Sequence, residues 1–260
     1  MTKIALASAA LAAFGIAPAI AADLAISPYY TKAPLIAPVY SWTGFYAGLS
    51  AGGASSHNCW TLTGSNISGA FAAVSPAVSE GCHNATGGLA GGQLGYRWQA
   101  SSWIFGVEAQ GDWANLKGSN PGVPIALGTF VANQTKIDAL GLFTGQIGYS
   151  WYNVLWYAKG GAAVTHDISN VIATAAIATS QASETRWGGA VGTGLEWGFA
   201  PGWSVGVEYD HLFMGRGVNS FTSLLPPVGI VTRSDSIKQD VDMGTVRVNY
   251  SFGGPAAARY

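Results

Sequence analysis

Residues 41–53 read SWTGFYAGLSAGG, in which aromatic and apolar side chains alternate with small ones and no position carries a charge. A period of two marks a β-strand. A half-buried strand of a soluble sheet sets its apolar residues inward and its charges toward water. This stretch has no face to offer water, and that shortage runs through the chain. Only 10% of the residues are charged, against about 25% in an ordinary soluble domain. Glycine (36), Trp (10), Tyr (11) and Phe (10) are abundant instead, a pairing suited to small interior positions and aromatic girdles. A formal net charge of -1 supplies no basic patch, so nucleic acid is not an expected partner.

Eight segments have strand character: residues 42–53, 87–98, 102–115, 135–150, 153–166, 185–199, 202–214 and 239–252. Their connections alternate in length. Tight turns fall at Gln99-Ala100-Ser101, around Trp151-Tyr152, and at Ala200-Pro201-Gly202. The other connections are stretches of roughly 18 to 33 residues rich in Ser, Thr, Asn, Ala, Gly and Pro, which a compact soluble domain rarely carries. Short turns on one side and long connections on the other predict an all-β fold. The expected form is an eight-stranded antiparallel up-and-down transmembrane β-barrel with short periplasmic turns and long extracellular loops.

The two faces of each segment support that direction of burial. Trp103, Phe105, Val107, Ala109 and Trp113 oppose Gly106, Glu108, Gln110 and Asp112; Trp203, Val205, Val207, Tyr209 and Phe213 oppose Ser204, Gly206, Glu208 and Asp210. The first set suits lipid. The second is half glycine and too poor in charge for a solvent-facing wall, which places it in a narrow lumen. In the opening stretch, Phe45, Ala47 and Leu49 then face lipid, while Gly44, Tyr46, Gly48 and Ser50 face inward. Trp42, Trp98, Trp103, Trp151, Trp197, Trp203 and Phe252 gather at the tight-turn ends, as an aromatic girdle at the periplasmic boundary would.

Counted from those ends, Glu108, Lys159, Glu196, Glu208 and Arg247 lie at similar depths on the inward face and are expected to form one lumen charge layer. Strand adjacency predicts the pairs Lys159–Glu196 and Glu208–Arg247, because a buried charge requires a partner. A matched layer points to an ion-paired plug; an ion-selecting ring would need an open lumen, and eight strands enclose little more than their own side chains. No catalytic residue is assigned: the carboxylates are matched by basic neighbours, and no nucleotide-loop or His-Glu-x-x-His motif is present.

Cys59 and Cys82 are the two cysteines, both in the first long connection, and in an exported chain they predict a disulfide. His57 and His83 beside them suggest a zinc reading, but the spacing matches no structural zinc class. The four histidines, 57, 83, 166 and 211, all fall on the extracellular half, which leaves metal or haem capture as an alternative; no metal ligand and no cofactor is assigned.

The N-terminus opens Met1-Thr2-Lys3, continues as an Ala/Leu-rich apolar run over 4–17 and reaches Ala19-Ile20-Ala21, the order of parts in a secretory signal peptide. The expected organisation is a signal peptide over 1–21, a proline-containing periplasmic tether over 22–41, the barrel over 42–252 and a C-terminal extension over 253–260.

YSWTGFYAGLSAGG, GGQLGYRW, FGVEAQGDW, WYAKGGAAV, GGAVGTGLEWGFAPGWSVGVEYDH and VRVNYSF together resemble the small eight-stranded outer-membrane β-barrels of alphaproteobacteria, the porin-like major surface antigens. The resemblance covers essentially the whole mature chain. It implies a place in the cell outer membrane, partners in outer-membrane lipid, lipopolysaccharide and the barrel-assembly machinery, contact with peptidoglycan, and a role in envelope integrity and surface antigenicity. Such barrels end on the aromatic of the last strand. Phe252 fits that position, but eight residues follow it, so Phe252 and Tyr260 both stand as the terminal signal.

Overall fold

A computed structural model describes residues 40–67, 70–123, 131–173 and 177–253. The signal peptide, most of the tether and nearly all of the C-terminal extension, with Tyr260, lie outside those residues.

Eight antiparallel strands close into one ring: β1 (Gly44–Ile67), β2 (Ala70–Ala100), β3 (Trp103–Pro121), β4 (Val131–Trp151), β5 (Val154–Ala173), β6 (Ile177–Ala200), β7 (Trp203–Ser223) and β8 (Val231–Ser251). Each pairs with its neighbours in sequence, and β1 pairs with β8, from Tyr46 opposite Ser251 to Ser65 opposite Arg233. Closure leaves no unpaired edge, a requirement for sheet in a medium with no water to satisfy N–H and C=O groups. The tight turns are two-residue connections. Ser101 and Tyr152 take φ of 58° and 56°, the left-handed first position of a primed hairpin turn. In the third turn Pro201 fixes φ of the first position, so the left-handed residue moves to Gly202, at φ 76°.

The alternation read from the sequence is the alternation of the wall. Phe45 (68% exposed), Leu49 (74%) and Trp113 (80%) point outward, whereas Tyr46, Ser50, Glu108 and Asp112 are buried. Trp98, Trp103, Trp151, Trp197, Trp203 and Phe252 also face outward near the tight turns. Trp42 does not. It is 3% exposed and packs with Tyr40, Ile104, Leu155 and Tyr157 in the periplasmic mouth, its backbone N–H donating to Gln99 Oε1 at 3.1 Å. Trp42 precedes β1, which begins at Gly44 with φ 137°, so it belongs to the chain that enters the barrel and packs across the mouth, not to the wall.

The long extracellular loops are also corrected. The strands run 19 to 31 residues, where about 9–11 span a bilayer. The Ser-, Thr- and Asn-rich stretches are mostly strand, and only residues 68–69, 122–130, 174–176 and 224–230 separate consecutive strands on that side. Polar residues keep the period of two there: Ser56, Asn58, Asn133, Thr135, Thr165, Asp167 and Ser169 are all buried inside the extended ring. They continue the barrel because its interior continues, not because their own composition favours strand.

The interior is layered. Above the mouth lies the charged layer described below, then an apolar layer of Leu89, Leu116, Ile137, Leu140, Leu142, Leu212, Met214 and Met243. Higher still, Trp60, Phe221, Ile237, Val131 and Val171 form a second apolar cluster within the extension.

Candidate functional site, a buried ion-pair network

The charged layer is built on cross-strand rows. Tyr46, Gly95, Glu108 and Thr144 face one another on β1 to β4, and Tyr157, Gly194, Glu208 and Thr245 do the same on β5 to β8. In each half the tyrosine ring lies over the glycine and donates its hydroxyl to the glutamate: Tyr46 to Glu108 Oε2 at 2.6 Å, Tyr157 to Glu208 Oε2 at 2.5 Å. A Cβ on Gly95 or on Gly194 would come within 2.4 Å of the ring above it, so only glycine admits the arrangement.

This repetition extends into the sequence. Gly106-Val107-Glu108 matches Gly206-Val207-Glu208, Arg97-Trp98 matches Glu196-Trp197, and QIGYSW at 146–151 matches RVNYSF at 247–252. The barrel therefore consists of two similar four-strand halves. Identical halves would set like charges against each other across the lumen; Glu108 and Glu208 remain such a pair, bridged by Lys159 and Arg247, and at two other positions the halves differ. Arg97 and Glu196, at equivalent positions, form an ion pair at 2.9 Å. Gln146 in the first half corresponds to Arg247 in the second.

At the centre, Lys159 Nζ lies 2.7 Å from Glu208, 3.4 Å from Glu108 and 3.3 Å from Asp210. Arg247 contacts Glu108 at 2.5 Å and also contacts Glu208. The side chains of Lys159, Arg247, Glu108 and Glu208 are 0% exposed. Toward the mouth, Glu196 also accepts from Ser204 Oγ at 2.5 Å and from Asn249 Nδ2 at 2.9 Å, and the Arg97 guanidinium lies 4.3 Å from the centre of the Tyr46 ring. Each buried charge of the layer has at least one partner of opposite sign, which is the condition for burying several charges together.

Glu108, Lys159, Glu196, Glu208 and Arg247 thus lie on the inward face, and Glu208 meets Arg247. Lys159 does not meet Glu196: Leu155 stands opposite Glu196, four residues from the lysine along β5. Sequence reasoning missed Arg97, although the outward Leu94 and Trp98 around it fix its side by parity, and it left Asp210 without a partner.

A second buried polar cluster lies in the extension. Arg233 donates to Asp235 at 2.7 and 2.6 Å and pairs with Glu80, which also accepts from Asn133 Nδ2 at 2.8 Å. Burial raises the Asp235 carboxyl to about 6 despite the guanidinium beside it, and burial lowers the His83 imidazole. Both positions fall in stretches read from sequence as loops. Cys59 and Cys82, opposite one another on β1 and β2, are joined as a disulfide. His57 lies 3.4 Å from the Cys59 sulfur, but both sulfurs are committed to each other and offer no thiolate to a metal.

A closed ring with an apolar outer belt, aromatic residues at its tight-turn end and a polar, packed interior is a transmembrane barrel of the outer-membrane kind. The chain matches the family described as outer membrane protein beta-barrel domain over residues 7–252, and it belongs to that family. It is 28% identical to the 31 kDa outer-membrane immunogenic protein of Brucella melitensis, over 94% of this chain and 98% of that one. The protein of the same description in Brucella suis matches equally. Among solved structures it resembles the outer membrane protein OprG of Pseudomonas aeruginosa, at a TM-score of 0.50 and 11% identity, over 82% of this chain and 97% of that one. The protein resides in the outer membrane.

Proposed function

We propose that the protein is a structural barrel of the outer membrane, without enzymatic activity, whose interior is a sealed plug. It contributes to envelope integrity and carries its extended strands as a surface antigen. The observation that supports this reading is the complete burial of Glu108, Lys159, Glu208 and Arg247, with fully buried Leu116, Ile137 and Leu212 in the apolar layer above them. A water-filled pore would hydrate such charges; here protein groups replace water around them. The name of the Brucella relatives as immunogenic proteins supports exposure of the extension at the surface.

Planar-bilayer recordings of the refolded full chain test the plug. Silence at neutral pH is the expected result, and steady unitary openings would replace it with the narrow-pore reading.

A further inference from the structure

On the outer wall, basic residues oppose one another across neighbouring strands. Lys117 on β3 stands opposite Lys136 on β4, and Arg216 on β7 stands opposite Lys238 on β8. All four point away from the lumen. Leu116 and Ile137, beside the first pair, are fully buried, as are Ile237 and Gln239 on either side of Lys238, and Arg216 is exposed just past the bulge at Phe213 and Gly215. Directly opposed side chains of like charge destabilise a sheet unless an ion of the other sign lies between them.

Local acids do little to relieve the repulsion. Asp138 is held by His166 at 2.6 Å, and Asp242 by His211 at 2.7 Å and Tyr209 at 2.5 Å. Asp240 reaches Lys238 at 3.2 Å, the one local compensation. Among the described residues no acid lies within ion-pairing distance of Lys117, Lys136 or Arg216.

The height of the pairs indicates what would face them. Lys117 comes four residues after Trp113, and Arg216 three after Phe213, two large apolar side chains exposed at the upper part of the belt. At about 3.3 Å per residue and a tilt of roughly 40°, each pair begins ~8–10 Å above those side chains. That is the interfacial layer, where lipid head groups lie. The pairs also occupy corresponding places in the two halves, β3/β4 and β7/β8, so the arrangement is made twice, on opposite sides of the ring.

We propose that Lys117 with Lys136, and Arg216 with Lys238, are two sites for the phosphorylated head group of the outer-leaflet glycolipid, lipopolysaccharide, one phosphate being shared by the two cations of each pair. This goes beyond the sealed-plug reading and stands whether or not the lumen conducts.

The test uses the full chain refolded without native lipid in detergent, with bisphosphorylated lipid A as the probe. The comparators are fully dephosphorylated lipid A and phosphatidylglycerol in the same micelles. Bound lipid per barrel and affinity are read by native mass spectrometry, with heat-modifiable gel mobility as the folding control. The wild type is expected to hold two bisphosphorylated lipids. K117Q/K136Q and R216Q/K238Q should each lose one, its affinity falling roughly 20- to 30-fold at about fivefold per basic residue, while K117R/K136R retains both. Equal binding by the glutamine variants, or by dephosphorylated lipid A, would overturn the proposal. Equal binding by phosphatidylglycerol would overturn the assignment to the glycolipid. Where a glutamine pair fails to fold, the wild-type comparison among the three lipids decides.

Discussion

Arg247→Met removes one of the two cations that lie between Glu108 and Glu208. In the intact protein Arg247 contacts Glu108 at 2.5 Å and also Glu208, and Lys159 contacts Glu208 at 2.7 Å and Glu108 at 3.4 Å, with no solvent at any of the four side chains. At an effective dielectric constant of about 20, a contact of 2.5 Å corresponds to ~6–7 kcal/mol of attraction before the cost of burying the guanidinium is subtracted. After the substitution Lys159 alone faces Glu108, Glu208 and Asp210. Breaking a buried pair from one side costs about 3–5 kcal/mol, because the charge left behind is uncompensated. With a urea slope of roughly 1–3 kcal/mol per M, the unfolding midpoint should fall by about 1–5 M. Urea titration in detergent micelles, followed by Trp fluorescence and by the mobility of unboiled samples, measures it. The double variant E108Q/R247M removes both partners and should regain a substantial part of the loss. A fall of less than ~1 kcal/mol in R247M, or a double variant no better than the single one, would refute the plug, since charges that tolerate the change are hydrated ones.

Gly95→Ala and Gly194→Ala should each displace the tyrosine ring above them and break its bond to Glu108 or Glu208, costing roughly 1–3 kcal/mol in the same titration. Trp42→Phe should leave the fluorescence quenched by brominated lipid unchanged, while Trp98→Phe should reduce it. Asp235 has a folded-state pKa of about 6, above its unfolded value, so its protonation stabilises the extension below that pH and the gain is lost as pH rises through 6. His83 acts in the opposite sense: its lowered pKa gives stability that is lost as pH falls below about 6.5. Hydrogen exchange of the extension in Asp235→Asn should therefore lose its acid stabilisation between pH 7 and 5 and keep the His83 component. Reduction of Cys59–Cys82 should make the β1–β2 tip more sensitive to protease without changing heat-modifiable mobility, because the strands below the bridge remain paired in the ring.

Which side of the wall each residue occupies was legible in the sequence, because a strand has a period of two and the two media on either side of the wall select different side chains. Glu108, Glu196, Glu208 and Arg247 were found that way, and the same parity would have placed Arg97 inside. The extension above the membrane was not legible. Its inner face mixes a small apolar cluster with many Ser, Asn and Asp side chains, which by themselves favour turns and become strand because the ring below holds them in register.

Sequence alone determined the number of strands, their order, the lipid face and five of the residues that supply charge to the lumen. The tertiary structure decided which charges meet. Arg97 and Glu196 lie on β2 and β6, four strands apart along the chain, and Arg247 reaches Glu108 from β8 to β3. Neighbouring strands carry their inward side chains side by side along the wall, but a ring of eight is narrow enough for those side chains to cross it. Pairing across the lumen is a property of closure, and no local stretch of sequence contains it.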